Sequence, residues 1–133
     1  MRTLLILLLA PLLAACNRSV ATAPTMAYGE AAELRPGERV LLPDGRTEFF
    51  FLEVVRDSRC PTGTSCVRAG EAVVRLRAGS REQELELPAR EATAMSLTPG
   101  APDRATLSLN PYPQAGAGAI PENDYRLTLL VTK

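Results

Sequence analysis

The closing segment of the chain sets the tightest limit on its fold. Tyr125, Leu127, Leu129 and Val131 recur at every second position, which is the period of a strand with one buried face. The same period returns upstream. Ala105, Leu107 and Leu109 alternate with Thr106 and Ser108, and Ala72, Val74 and Leu76 share one side of a segment whose other side carries Arg75 and Arg77. Gln83, Leu85 and Leu87 oppose Glu82, Glu84 and Glu86. Gly79-Ser80 separates these last two segments, so residues 71–77 and 81–87 are expected to pair as a hairpin, with Arg75 and Arg77 facing the glutamates.

Residues 47–57 are the richest in aromatic and β-branched side chains, the composition that fits a pleated surface. Phe50, Leu52 and Val54 lie on one face and Phe49, Phe51 and Val55 on the other. Such a strand is either covered on both sides or switches face at a bulge. Residues 39–42 form a short strand closed by Pro43-Asp44-Gly45, where proline presets φ and glycine accepts positive φ. Residues 91–97 fit a single helical turn or a short strand, and Pro111, Pro113 and Gly116-Ala117-Gly118 mark a long loop. There is no long helical period and no internal repeat. The expected fold is all-β, a small β-sandwich or barrel-like domain of six to seven mostly antiparallel strands.

Side-chain chemistry narrows the function classes. Fifteen basic residues balance fifteen acidic ones, which removes the electrostatic case for a nucleic-acid partner. The chain has no histidine and no tryptophan, and its single lysine is Lys133. Ser-His-Asp and Cys-His catalysis, imidazole zinc sites and a Schiff-base lysine within the fold are therefore excluded. No cofactor is expected.

The N-terminus reads as a targeting segment. Arg2 is followed by an apolar run at residues 4–13, about 15 Å long if helical and roughly half the hydrocarbon thickness of a bilayer. Leu13-Ala14-Ala15-Cys16 then resembles the bacterial lipobox, which implies cleavage before Cys16 and acylation of its thiol. An ordinary secretory signal is the alternative. Two or three acyl chains anchor a protein stably without any spanning segment. Residues 1–15 are thus expected as a lipoprotein signal peptide, residues 16–30 as a lipidated cysteine with a flexible tether, and residues 31–133 as one domain. Asn17, in place of the aspartate linked to inner-membrane retention in enterobacterial lipoproteins, implies an outer-membrane location facing the periplasm.

Cys60 and Cys66 remain. In an oxidising compartment they are expected to form a disulfide. Its seven-residue loop corresponds to about 2.4 kcal/mol in the chain-entropy model. A redox pair and a two-thiolate metal site are the alternatives, and both are less favoured. The spacing differs from Cys-x-x-Cys, and no other soft ligand lies nearby.

The run Asp57-Ser58-Arg59-Cys60-Pro61, with Gly63, Cys66-Val67 and Ala69-Gly70-Glu71-Ala72 after it, resembles a motif of small exported bacterial proteins of uncharacterised function. The resemblance covers about sixteen residues, with a looser match around Tyr125. This chain carries Arg68 where that pattern has tryptophan. Read residue by residue, the motif is a corner between two strands. Asp57 and Ser58 cap a turn, Arg59 or Arg68 pairs with Asp57, and Gly63 and Gly70 supply sharp turns. A sharper reading makes it a rigid recognition loop displaying Asp57, Arg59, Pro61, Gly63 and Arg68.

These features favour a non-enzymatic, lipid-anchored binding or accessory module of the cell envelope, with the membrane and an envelope protein as partners. An inhibitor that plugs an envelope hydrolase with loop 61–65 is the alternative. A hydrolase built on Asp57 with Glu53 or Glu71 has no distinguishing signal, because surface carboxylates are plentiful. Asp103 and Asp124 lie outside any EF-hand-like calcium loop, and Gly116-Ala117-Gly118 lacks the lysine and helix of a phosphate loop.

Overall fold

The computed structural model describes residues 22–97 and 102–133. The apolar run, the lipobox-like residues, Cys16 and Asn17 lie outside them. Among the described residues, eight strands make two four-stranded antiparallel sheets that are not closed into a barrel. One sheet orders β2 (Arg39–Leu41), β3 (Glu48–Asp57), β4 (Glu71–Ala78) and β5 (Arg81–Pro88). The other orders β1 (Ala31–Leu34), β8 (Arg126–Thr132), β7 (Arg104–Asn110) and β6 (Thr93–Ser96). The only helical element among the described residues is a 3-10 turn, Glu122–Asp124.

The alternating segments bury the faces their sequence marks. Val74, Leu76 and Leu87 of one sheet meet Leu107, Leu127, Leu129 and Val131 of the other in one core. The hairpin register sets Arg75 opposite Glu84 and Arg77 opposite Glu82. Arg75 bonds Glu84 at 2.9 Å and also pairs with Glu53. Arg77 instead lies over the outward ring of Phe50, 4.1 Å from its centroid. Within residues 91–97, Thr93–Ser96 forms a strand, β6, paired to β7.

Two features exceed the sequence expectation. The eighth strand, β1, pairs along β8; its Ala-Ala-Glu-Leu sequence has little intrinsic strand preference, and the pairing itself defines it. Residues 24–30, expected as tether, belong to the domain. Thr25 bridges Leu41, the Met26 amide donates to the Leu41 carbonyl at 3.0 Å, and the Gly29 amide donates to the Val131 carbonyl at 2.8 Å. Met26 is only 4% exposed, a flexible thioether filling the end of the core.

Strand β3 answers the question raised by its two apolar faces. Its pairing with β4 skips Leu52 and again Val55, so the strand carries two bulges. Inward-facing Leu76, Val74 and Ala72 of β4 are paired with Phe51, Val54 and Asp57. Each bulge uses one extra residue and re-aims everything beyond it. The second bulge therefore turns a carboxylate, Asp57, toward the interior at the strand's end.

Candidate functional site

At that end the one buried charged side chain among the described residues, Arg59, is 5% exposed. Its Nε donates to Asp57 Oδ1 at 2.9 Å and its Nη2 to Asp57 Oδ2 at 2.7 Å, a bidentate pair. The same guanidinium donates to the main-chain carbonyls of Leu109 (2.7 Å) and Pro111 (2.9 Å) in the opposite sheet and its loop. Tyr125 Oη donates to Asp57 Oδ2 at 3.1 Å. Nearly every polar group is satisfied, the condition under which a buried ion pair is tolerated. Burial pushes the Asp57 carboxyl upward, but hydrogen bonds from Arg59, its charge and the Tyr125 hydroxyl outweigh this and hold it below its ordinary value of 3.8. Burial, then the Asp57 charge and hydrogen bond, push the Tyr125 phenol up to about 12.

The chain leaves this cluster through the cysteine loop. Cys60 and Cys66 form a disulfide with Cα atoms 6.0 Å apart, a spacing that needs no backbone movement. Ser58 Oγ donates to the Glu71 carbonyl at 2.9 Å, and the Cys60 amide donates to the Ala69 carbonyl at 2.7 Å. These bonds bring the loop's two arms together, and Gly70 makes room for them. A Cβ there would lie 1.9 Å from the Ser58 carbonyl oxygen, and φ is +73°. Thr62 bridges Gln114, which braces the loop against the long loop following β7.

The structure divides the expected recognition residues. Asp57 and Arg59 are not displayed: the second β3 bulge and the carbonyls of Leu109 and Pro111 draw them inside, so they clamp the two sheets together. Pro61 is half-buried, and Gly63 and Arg68 are exposed. Val67, beside Arg68, is fully exposed, at 105%. The carboxylates considered for hydrolysis are each paired with an arginine: Asp57 with Arg59, Glu53 with Arg75, Glu71 with Arg56. Asp103 accepts a bond from Tyr28 Oη at 2.8 Å, and Asp124 is exposed in the 3-10 turn.

Two residues absent from the sequence expectation complete the site. Tyr112 carries the Arg59 guanidinium 5.1 Å and the Arg90 guanidinium 5.6 Å from its ring centroid. Arg90 occupies the turn at 88–91 with φ of +67°, the one positive φ at a non-glycine position among the described residues. That conformation costs an L-residue about 1–2 kcal/mol, so the turn would accept glycine more readily than arginine. The tyrosine sits between two open clefts. One, of about 310 Å³, is lined by Arg59, Pro88, Arg90, Glu91, Ser108 and Asn110 among others. The other, of about 360 Å³, is bounded by the disulfide, Thr64, Ser65, Arg68 and Arg90.

All of this lies at one end of the sandwich. The register sets Leu41 beside Glu48 at the start of β3, and the described chain enters there, through Pro24 and Thr25. The cysteine loop leaves from the far end of the same strand, with the turn at 88–91 and the loop after Asn110 beside it. Comparison with family models, curated proteins and solved structures gave no match to this chain.

Proposed function

We propose that this protein is a lipid-anchored bacterial envelope protein, a non-catalytic binding or accessory module that presents its disulfide corner to a partner. The observation that carries the reading is Leu13-Ala14-Ala15-Cys16 directly after an apolar run too short to span a bilayer. The fold supports it in two ways. The chain enters the domain at one end while the braced corner occupies the other, so an anchor at Cys16 leaves the corner turned outward. Asp57 and Glu71 at the corner carry arginine partners, an arrangement suited to holding structure. Asn17 favours the outer membrane, with the domain in the periplasm.

The test is fractionation of the full chain in a bacterial host. Cys16→Ser should move the exported product from the membrane to the soluble fraction. A serine variant that still sediments with membranes after a high-salt wash would overturn the anchor. The inhibitor reading is favoured by one observation, the full exposure of Val67 between the disulfide at Cys66 and the Cys60–Ala69 main-chain hydrogen bond. A rigid loop of this kind loses little entropy on binding.

A further inference from the structure

The cleft between the disulfide and Tyr112 brings two arginines together. Its polar lining is Arg68, Arg90, Thr64 and Ser65 around an aromatic floor, with no carboxylate among its lining residues. Glu91 lines only the neighbouring cleft. Neither Arg68 nor Arg90 forms an ion pair among the described residues. Arg39, Arg56, Arg59 and Arg75 each face a carboxylate, whereas Arg68 and Arg90 stand with others, such as Arg81 and Arg104, that do not; what sets them apart is that both line one cleft. Arg90 also holds a backbone conformation that a glycine would adopt without strain. Strained residues of this kind gather where a side chain has a task beyond the fold.

We infer that this cleft receives a carboxylate side chain of a protein partner, held between Arg68 and Arg90, with an apolar neighbour of that carboxylate covering Val67. Guanidinium groups recognise carboxylates through paired hydrogen bonds, and Ser65 supplies a hydroxyl beside them, while the Thr64 hydroxyl donates to the Pro61 carbonyl at 2.8 Å and holds the loop. The position of the cleft separates the acidic-protein reading from a lipid-headgroup one: the described chain enters at the other end of the sandwich, away from this cleft. Val67, fully exposed beside Arg68, gives the partner an apolar contact next to the cation. The inference rests on the proposal that the corner is the presented end, and it names the partner's chemistry.

The probe is a capped, fluorescently labelled hexapeptide alternating glutamate and leucine, titrated against the full chain in detergent and followed by anisotropy. Saturable binding is expected, with the glutamine-for-glutamate peptide at least tenfold weaker. Arg68→Ala should weaken binding about tenfold. Arg90→Gly should do the same while the melting temperature holds or rises, because the turn relaxes; this separates loss of the site from loss of the fold. Equal binding of the glutamine peptide, or unchanged binding by Arg90→Gly, would overturn the inference. So would inorganic phosphate competing as tightly as the peptide, or capture of phosphatidylglycerol vesicles by the Cys16→Ser variant, which has no acyl chain of its own to insert, in place of the peptide. Cys16→Ser should bind the peptide as the parent does, so failure of the anchor and failure of the cleft are read separately.

Discussion

Arg59 and Arg75 both face carboxylates, yet they occupy opposite physical regimes. Arg75 stands on the outer face of its sheet, shared among Glu53, Glu84 and Glu82, with its side chain about one-third exposed. Water screens each of those attractions, and holding long side chains in place costs entropy. Arg59 sits inside the end of the sandwich, with its charge met by one bidentate carboxylate and two carbonyls from the opposite sheet and its loop. Removing either member there leaves the other charged and buried. The difference teaches that the number of ion pairs around an arginine says little about its worth. Three partners in water count for less than one partner in the interior.

The sharpest way to break this comparison is to truncate both. Arg59→Ala should lower the unfolding free energy by about 3–5 kcal/mol, the range for an orphaned buried charge, measured by urea denaturation. A loss under about 1 kcal/mol would place Arg59 in the same class as Arg75 and remove its role as a clamp.

Tyr125→Phe is expected to cost about 1.5 kcal/mol, because it deletes a hydrogen bond to a charged acceptor. Its pH signature is more telling. The folded phenol is raised to about 12 from an ordinary 10.0, so its contribution is fully present below pH 10 and is lost as pH rises toward 12. The phenylalanine variant should lack that part of the alkaline loss when the two denaturation series are compared. Asp57 acts with the opposite sign. Its folded value lies below 3.8, so its contribution is present above that pH and disappears as acid carries the solution through the lowered value.

The smallest effect belongs to the exposed cluster. Arg75→Ala should change stability the least of the three variants, and added salt should shrink even that difference. A loss as large as that of Arg59→Ala would show that the sheet's outer face is a second structural centre.

The sequence made the sheets readable wherever alternation was clean. Strands β4, β5, β7 and β8 bury the residues their spacing marks. It also posed the β3 question correctly, since two apolar faces on one strand leave only full coverage or a bulge. The site was less legible. Asp57 and Arg59 sit beside a Cys-Pro turn, where charged residues ordinarily face water. Their burial depends on two bulges upstream and on carbonyls about fifty residues away in sequence. The clue that remained was the Asp-x-Arg spacing, which allows the pairing the structure contains. Arg90 carried no signal, because an arginine two residues after a proline gives no warning of positive φ. Residues 24–30 looked like tether because one methionine is too little apolar content to reveal a buried segment.

The separation of entry point and corner has a mechanical consequence. Whatever holds the chain upstream of Thr22 holds the sandwich by one tip, and the ten residues of β3 set a stand-off of about 30 Å to the other. Under the proposed anchor at Cys16, the body would work as a stiff lever arm on a short leash. It would carry the cleft across a shell of fixed radius, while surfaces next to the attachment point would stay outside its reach. Confinement of this sort gives effective concentrations on the order of millimolar for any partner fixed within the shell. Even a weak grip on one carboxylate would then be occupied much of the time, and lengthening the leash would dilute it without altering a single contact.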